Sequence, residues 1–167
     1  MKVGIIGVGA VGTACAKAAL LRGSCAELVL VDIVQSRASG VANDLSHGEV
    51  LCPPTRIRTG SYQDLTDASV VVVTAGINEQ SGGAVDRSDA LGRLRLLPHN
   101  ADVYADVIPQ IAAAAPHTPI LVVTDPPDPL ADVARRYTET NPVLSAGTFL
   151  DSLRFRVKNA RVPHAPC

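Results

Sequence analysis

The chain has 167 residues, of which 47% are apolar and 19% are charged, and its formal net charge is −1. This length suits one domain with a substantial core, and the apolar content excludes a disordered chain. The near-neutral charge gives no sign of a nucleic-acid or membrane-surface partner. The first apolar run is too short and too rich in glycine for a signal peptide or a membrane span, so we expect a cytoplasmic protein.

The cysteine spacing and the low aromatic content indicate which kinds of site and which kind of core to expect. The four cysteines, Cys15, Cys25, Cys52 and Cys167, show neither CxxC spacing nor a histidine partner. We therefore expect unpaired, reduced thiols and no metal site. Aromatic residues make up only 3% of the chain, so the core must consist of Val, Ile, Leu and Ala, as in buried parallel sheets.

Apolar runs alternate with helical stretches along the chain. Strands are predicted near residues 3–7, 27–32, 55–59, 69–74, 118–124 and 142–146. Helices are predicted near residues 10–22, 35–46, 92–115, 128–138 and 149–160. This alternation predicts a Rossmann-type, doubly wound α/β fold, with a parallel six-stranded sheet in the order 3-2-1-4-5-6. We expect the ligand crevice at the carboxyl ends of the strands.

A glycine-rich turn joins the first predicted strand to the first predicted helix. It reads Gly-Val-Gly-Ala-Val-Gly and includes Gly7, Gly9, Val11 and Gly12. Gly7 permits the tight turn, Gly9 lets the backbone approach a pyrophosphate, and Gly12 lets the helix pack closely on the strand. The helix N-terminus offers free N–H groups and a positive dipole end to the phosphates. The alternative interpretation is an ordinary strand–turn–helix corner.

Asp32, at the end of the second predicted strand, completes the dinucleotide-binding pattern. Its carboxylate can accept hydrogen bonds from both hydroxyls of an adenosine ribose, and its charge repels a 2′-phosphate. The sequence therefore predicts NAD, not NADP, as the cofactor.

The segment Ile77–Leu91 differs from the rest of the chain because it is polar, contains glycine and has no periodicity. Since it follows a predicted strand and precedes a helix, it lies above the strand ends. We predict a mobile lid over the ligand, and the alternative is a flexible surface insertion. Arg87, within this segment, is a further candidate for reaching an anionic substrate.

Several motifs together resemble one known family. They are Gly-Val-Ala-Asn-Asp-Leu-Ser-His (40–47), Thr-Ala-Gly (74–76), Gly-Arg-Leu-Arg-Leu-Leu-Pro-His-Asn (92–100), Val-Val-Thr-Asp-Pro (122–126) and Gly-Thr-Phe-Leu-Asp-Ser-Leu-Arg-Phe-Arg (147–156). With the glycine turn, they make residues 1–156 similar to the NAD-binding half of the lactate/malate dehydrogenases, slightly more to the lactate enzymes. The resemblance implies Ala75, Gly76 and Thr124 as further cofactor contacts.

The resemblance also implies an activity, which is the reversible oxidation of an L-2-hydroxy acid to a 2-oxo acid by a homo-oligomer. Arg154 matches the arginine that grips the substrate carboxylate, for which a planar guanidinium is suited. Asp151 matches the acid that orients the catalytic histidine. Arg93 matches the lid arginine that polarises the substrate carbonyl. Without these motifs, Asp151 and Arg154 would be interpreted as an intrahelical salt bridge at a helix start.

Asp125 departs from the family pattern, which has Thr-Asn-Pro with an asparagine amide that bonds the substrate. An ionised Asp125 would repel a carboxylate substrate, whereas a protonated one could donate a hydrogen bond as the amide does. Alternatively, the substrate differs, or the side chain turns away. The sequence leaves these possibilities open.

The family also needs a histidine in a Gly-x-His-Gly segment of a second, substrate-binding domain. No such segment occurs among His47, His99, His117 and His164. Because the resemblance fades from Val157, we predict an NAD-binding domain over 1–156 and an irregular tail over 157–167, as in a truncated or frame-shifted gene or a fragment. Two hypotheses follow: an NAD-dependent dehydrogenase of a small 2-hydroxy acid, or an NAD-binding remnant without turnover.

Overall fold

The computed structural model describes residues 1–82, 85–86, 88–89 and 91–160. The strands are β1 Lys2–Ile6, β2 Glu27–Val31, β3 Arg56–Thr59, β4 Val70–Val73, β5 Ile120–Val122 and β6 Val143–Ser145. The helices are α1 Ala10–Arg22, α2 Gln35–Ser46, α3 Leu97–Ala114, α4 Pro127–Arg135 and α5 Gly147–Asn159. Short 3₁₀ helices cover Glu49–Leu51, Tyr62–Leu65 and Gly92–Leu96.

The six strands form one parallel sheet in the order β3-β2-β1-β4-β5-β6, which confirms the predicted fold. In the centre of the sheet, Ile5 of β1 is level with Leu30 of β2 and Val72 of β4. All strands run in one direction, so the loops that follow β1, β2, β4 and β5 meet at one edge. That edge is where the predicted crevice belongs.

Apolar side chains cover both faces of the sheet. Val3 and Ile5 of β1 point to the face covered by α1 and α2, whereas Ile6 belongs to the cluster built with α3 and α4. Alternation along each strand explains this division, because successive side chains point to opposite faces. The valine-rich strands are therefore buried on both sides, as is typical of parallel sheets.

The helix predicted over 92–115 is divided in the structure. Gly92–Leu96 is a 3₁₀ helix, and α3 begins at Leu97 with Pro98 in its first turn. Proline has no N–H, so Pro98 cannot donate the hydrogen bond to Leu94 that a continuous α-helix needs. The segment Gly92–Leu96 is consequently wound as a tighter 3₁₀ helix, which the sequence pattern alone did not predict.

The last helix, α5, packs little of its surface on the described part of the chain. None of its residues is buried, and Phe149 and Phe155 are both largely exposed. The helix ends at Asn159, beyond the domain boundary predicted at residue 156, and residues 161–167 of the predicted tail lie outside the described residues.

Tyr104 of α3 is fully buried between α3 and the sheet, and within the described residues its hydroxyl has no hydrogen-bond partner. Burial raises the pKa of Tyr104 well above its usual range. The nearby Thr124 hydroxyl lowers this pKa by a smaller amount, but it donates its own hydrogen bond to the Ala75 carbonyl. A buried, unpaired hydroxyl is unfavourable by about 1–3 kcal/mol.

We therefore expect Tyr104→Phe to leave the fold intact and to raise its stability. A gain of about 1 kcal/mol corresponds to a Tm increase of about 2–4 °C for a chain of this size. Thermal unfolding followed by circular dichroism measures it, with Tyr137→Phe as the control because Tyr137 is exposed. A lower Tm for Tyr104→Phe would show that the buried hydroxyl has a partner.

Candidate functional site

The glycine turn after β1 has a backbone that side chains would disrupt. Gly7 has a φ of +87°, and a Cβ there would lie 2.6 Å from the backbone of Ala75. A Cβ on Gly12 would lie 2.0 Å from the carbonyl oxygen of Gly7. Thr74 Oγ1 donates a hydrogen bond to this same oxygen. Packing between the turn, α1 and the end of β4 therefore requires both glycines.

Gly9 has a different environment in the same turn. A Cβ on Gly9 would meet no atom of the described chain within 4 Å, and its backbone is extended, with φ −73° and ψ −164°. Gly9 is also the residue before α1, a 13-residue helix whose N-terminus is not capped by any side chain of the described residues. The space above Gly9 is thus open, and the first N–H groups of α1 remain available to a ligand.

Asp32, just after β2, is bonded to the glycine turn. Its Oδ2 accepts a hydrogen bond from the Val8 N–H at 2.7 Å, and its Oδ1 accepts one from the Val34 N–H at 2.8 Å. Arg37 of α2 approaches Oδ1 to 3.4 Å. The carboxylate therefore joins the end of β2 to the turn after β1 and fixes their relative position.

Two cavities lie at this edge of the sheet, one on each side of the glycine turn. The β2-side cavity has a volume of about 530 Å³, and Gly7, Asp32, Arg37 and Tyr62 are among its lining residues. The phenol of Tyr62 is half-buried there. Burial, and then the charges of Asp106 and Asp32, raise its pKa.

The β5-side cavity has a volume of about 380 Å³ and is lined in part by Val11, Glu79, Thr124 and Asp125. The two cavities share four lining residues, which are Gly9, Thr74, Gly76 and Ile77. They are therefore two parts of one crevice, which passes over the glycine turn at the carboxyl ends of the strands.

Arg93 and two carboxylates form an ion-pair cluster at the β5-side cavity. Arg93 Nε lies 3.1 Å from Glu79 Oε1 and 3.6 Å from Asp125 Oδ2. In this structure Asp125 lines the β5-side cavity and faces Arg93. The pKa of Asp125 is raised, mainly because the carboxyl group is partly buried. The positive charge of Arg93 lowers this pKa, and the negative charge of Glu79 raises it further. The protonated form, which can donate a hydrogen bond, is thereby favoured relative to an exposed aspartate.

Asn100 of α3 organises the loops around this cavity, although the sequence analysis missed it. Its Oδ1 accepts from the Ile77 N–H at 2.8 Å, and its Nδ2 donates to the Asp125 carbonyl at 2.8 Å. The side chain is fully buried and joins the loop after β4 to the loop after β5. One signal was present: Asn100 lies four residues after Leu96 and four before Tyr104, on the otherwise apolar face of α3.

Asp151 and Arg154 lie away from the crevice. They face each other on α5, where Arg154 Nη1 lies 3.0 Å from Asp151 Oδ1. The side chain of Arg154 is 61% exposed and that of Asp151 is 74% exposed. Neither residue lines either cavity. In this structure they form the intrahelical ion pair that the sequence analysis gave as the alternative.

The segment Ile77–Leu91 begins with a compact turn. Asn78 and Ser81 bond each other through backbone and side chain, and Glu79 between them reaches Arg93. Arg87, the further candidate for binding an anion, lies outside the described residues.

Neither a metal site nor a membrane span is found in the part of the chain that the structure describes. Those residues contain no group of three or more His, Cys, Asp or Glu side chains that could hold a metal ion. None of their helices has the length and apolar character needed to cross a membrane.

Comparison with known proteins is consistent with this geometry. Residues 1–144 match the family model described as "lactate/malate dehydrogenase, NAD binding domain". The L-lactate dehydrogenase of Deinococcus radiodurans is 44% identical over 156 residues, which are 93% of this chain and 49% of that protein. The L-lactate dehydrogenase of Thermus aquaticus is 42% identical over 158 residues, 93% of this chain and 48% of that protein.

Solved structures give the same result. A lactate dehydrogenase from a Medee basin deep-sea metagenome library has a TM-score of 0.84 and 34% identity, over 99% of this chain and 51% of that chain. The minor L-lactate dehydrogenase of Enterococcus mundtii has a TM-score of 0.83 and 31% identity, over 95% of this chain and 49% of that chain. This chain spans about half the length of the relatives it matches. It belongs to the lactate/malate dehydrogenase family, whose NAD-binding domain it contains, and its cofactor is NAD.

Proposed function

We propose that the chain binds NAD along the crevice and supplies the coenzyme half of an NAD-dependent L-2-hydroxy acid dehydrogenase of the lactate or malate type. The observation that carries this proposal is the position of the glycine turn between two connected cavities. A dinucleotide has two nucleoside ends joined by a diphosphate, and the open space above Gly9 suits the diphosphate. The uncapped N-terminus of α1 favours the negative charge there.

The adenosine end is assigned to the β2-side cavity. Asp32 lines this cavity, and its fixed carboxylate can accept hydrogen bonds from ribose hydroxyls. Gly7 and Gly12 act indirectly, because they allow the close packing that holds the turn beside Asp32. Ala75 and Gly76 close the cavity from the end of β4.

The nicotinamide end is assigned to the β5-side cavity, with Val11 and Thr124 as lining residues. When bound, NAD accepts, on its nicotinamide ring, the hydride that leaves the hydroxy-bearing carbon of the substrate. Arg93, which pairs with two residues of this lining, can polarise the substrate oxygen once it exchanges Glu79 and Asp125 for the substrate. The three free cysteines of the described residues, Cys15, Cys25 and Cys52, suit a reducing compartment, so we place this function in the cytoplasm.

A second candidate function is coenzyme binding without turnover. It is supported by the mutual pairing of Asp151 and Arg154 on exposed α5, because neither residue contributes to the crevice in this arrangement. It is also supported by the histidines: of the three within the described residues, His47, His99 and His117, none lines either cavity. Losing the proton-transfer group of a dehydrogenase costs about 10²–10⁴-fold in rate.

Titration of the purified chain with NADH, followed by the fluorescence of the reduced nicotinamide, tests both candidates. We expect saturable binding. Oxidation of the bound NADH is then measured with pyruvate and with oxaloacetate. Turnover above background supports the dehydrogenase, whereas binding at background turnover supports the second candidate. A folded chain that does not bind NADH at millimolar concentration would contradict both.

A further inference from the structure

We infer that Arg37 is a specificity-determining residue for the coenzyme, because it weakens the discrimination that Asp32 imposes against a 2′-phosphate. NADPH should therefore bind this chain measurably, although more weakly than NADH. The inference rests on the proposed function, since it assumes that the adenosine end of the coenzyme occupies the β2-side cavity.

The first observation is that backbone N–H groups of the protein occupy about half of the hydrogen-bonding capacity of the Asp32 carboxylate, which leaves each oxygen one further acceptor site. Each carboxylate oxygen accepts a backbone N–H, from Val8 and from Val34, at 2.7 and 2.8 Å. The Asp32 side chain is only 4% exposed. Its negative charge is consequently shielded in part from a ligand that approaches through the cavity, although Asp32 still belongs to the cavity lining.

The second observation is the position of Arg37. Its Nη1 lies 3.4 Å from Asp32 Oδ1, and its side chain is 51% exposed while it lines the same cavity. A guanidinium has five N–H donors, and one contact with Asp32 leaves most of them free. Of the two paired groups, the cation is the one more available to a ligand.

The charges that line the cavity determine which coenzyme is preferred and how far Arg37 reduces that preference. Asp32 and Arg37 offset each other, and Asp106 of α3 adds a second carboxylate to the lining. The described lining therefore keeps a negative balance, which explains why NADH should remain the preferred coenzyme. A 2′-phosphate carries about −1.5 to −2 charges at pH 7, so its binding depends strongly on the one arginine of this lining.

Arg37→Gln tests the inference, because it removes the cation and retains a side chain of similar reach. The dissociation constants of NADH and NADPH are measured for the wild type and the variant by fluorescence titration. We expect the NADPH constant to rise about tenfold and the NADH constant to change by no more than about threefold. Added salt should weaken NADPH binding more in the wild type than in the variant.

Two further variants separate specificity from structure. Arg37→Lys keeps the charge and should retain most of the wild-type affinity for NADPH. Arg136→Gln removes the same charge at the end of α4 and should change neither constant. Thermal unfolding checks that every variant is folded.

An NADPH-to-NADH ratio that changes by less than about twofold in Arg37→Gln would overturn the inference, as would a wild type that binds NADH but not NADPH. Either result leaves the proposed function intact. Absence of NADH binding by the folded wild type would instead refute the proposed function, and the inference with it.

Discussion

Gly12→Ala is expected to destabilise the fold and to weaken coenzyme binding strongly at the same time. The added Cβ would lie 2.0 Å from the Gly7 carbonyl oxygen and 2.7 Å from Thr74 Oγ1. The closer of these atoms belongs to the backbone, so a side-chain rotation cannot relieve the overlap, and α1 must move away from the turn. Overpacking of this kind costs about 1–3 kcal/mol, which lowers the Tm by about 2–12 °C. The NADH affinity should fall more than about tenfold, because the N-terminus of α1 moves with the helix.

Two other glycines provide matched controls for this substitution. At Gly9, which has space around it and an extended backbone, alanine should leave the Tm unchanged and reduce only NADH affinity, since its methyl group projects into the open space above the turn. At Gly40, on the exposed face of α2, alanine should stabilise the protein by about 0.5–1 kcal/mol and leave binding unchanged. Unfolding midpoints and NADH titrations of the three variants separate packing from ligand contact. Equal Tm values for Gly12→Ala and the wild type would contradict the packing argument.

The order of the strands could be predicted from the sequence because the information is local. Most strands are short runs of Val, Ile and Leu, and most connections between them contain an α-helix, whereas β3 and β4 are joined through the 3₁₀ helix Tyr62–Leu65. Handedness and the glycine turn then leave few possible topologies. The division at Pro98 was not predicted, because the apolar pattern continues through the 3₁₀ turn without a change of period. Burial patterns indicate which side chains face the core, but they do not distinguish a 3₁₀ turn from the first turn of an α-helix.

The candidate site was predictable to the extent that its parts are close in sequence. The glycine turn and Asp32 follow a known spacing, and the structure brings them into direct contact. Asn100 was missed because its function depends on two loops that are distant in the chain. The partners of Asp125 were missed for the same reason, since Glu79 and Arg93 reach it only after the sheet has formed. A single sequence does not reveal such contacts unless a motif records them.

Asp32→Asn is expected to reduce both stability and NADH affinity, although the two side chains have nearly the same shape. The two carboxylate oxygens of Asp32 each accept a backbone N–H, one from Val8 and one from Val34. An asparagine amide has only one oxygen, so its NH₂ group must face one of these donors. A lost hydrogen bond with an unsatisfied donor costs about 1–3 kcal/mol. We expect a Tm lower by about 2–4 °C for each kcal/mol, and an NADH affinity reduced about tenfold.

The coenzyme preference shows whether Asp32 also contacts the ribose. If its charge repels a 2′-phosphate, Asp32→Asn should weaken NADH binding more than NADPH binding, which is the opposite of the change expected for Arg37→Gln. Asp44→Asn is the matched control, because Asp44 is an exposed residue of α2 and its substitution removes the same charge. Should Asp32→Asn lower the Tm while both coenzymes lose affinity equally, Asp32 acts only by holding the glycine turn. A variant with unchanged Tm would show that the two backbone donors find other acceptors, and the role of Asp32 would then be limited to the ligand.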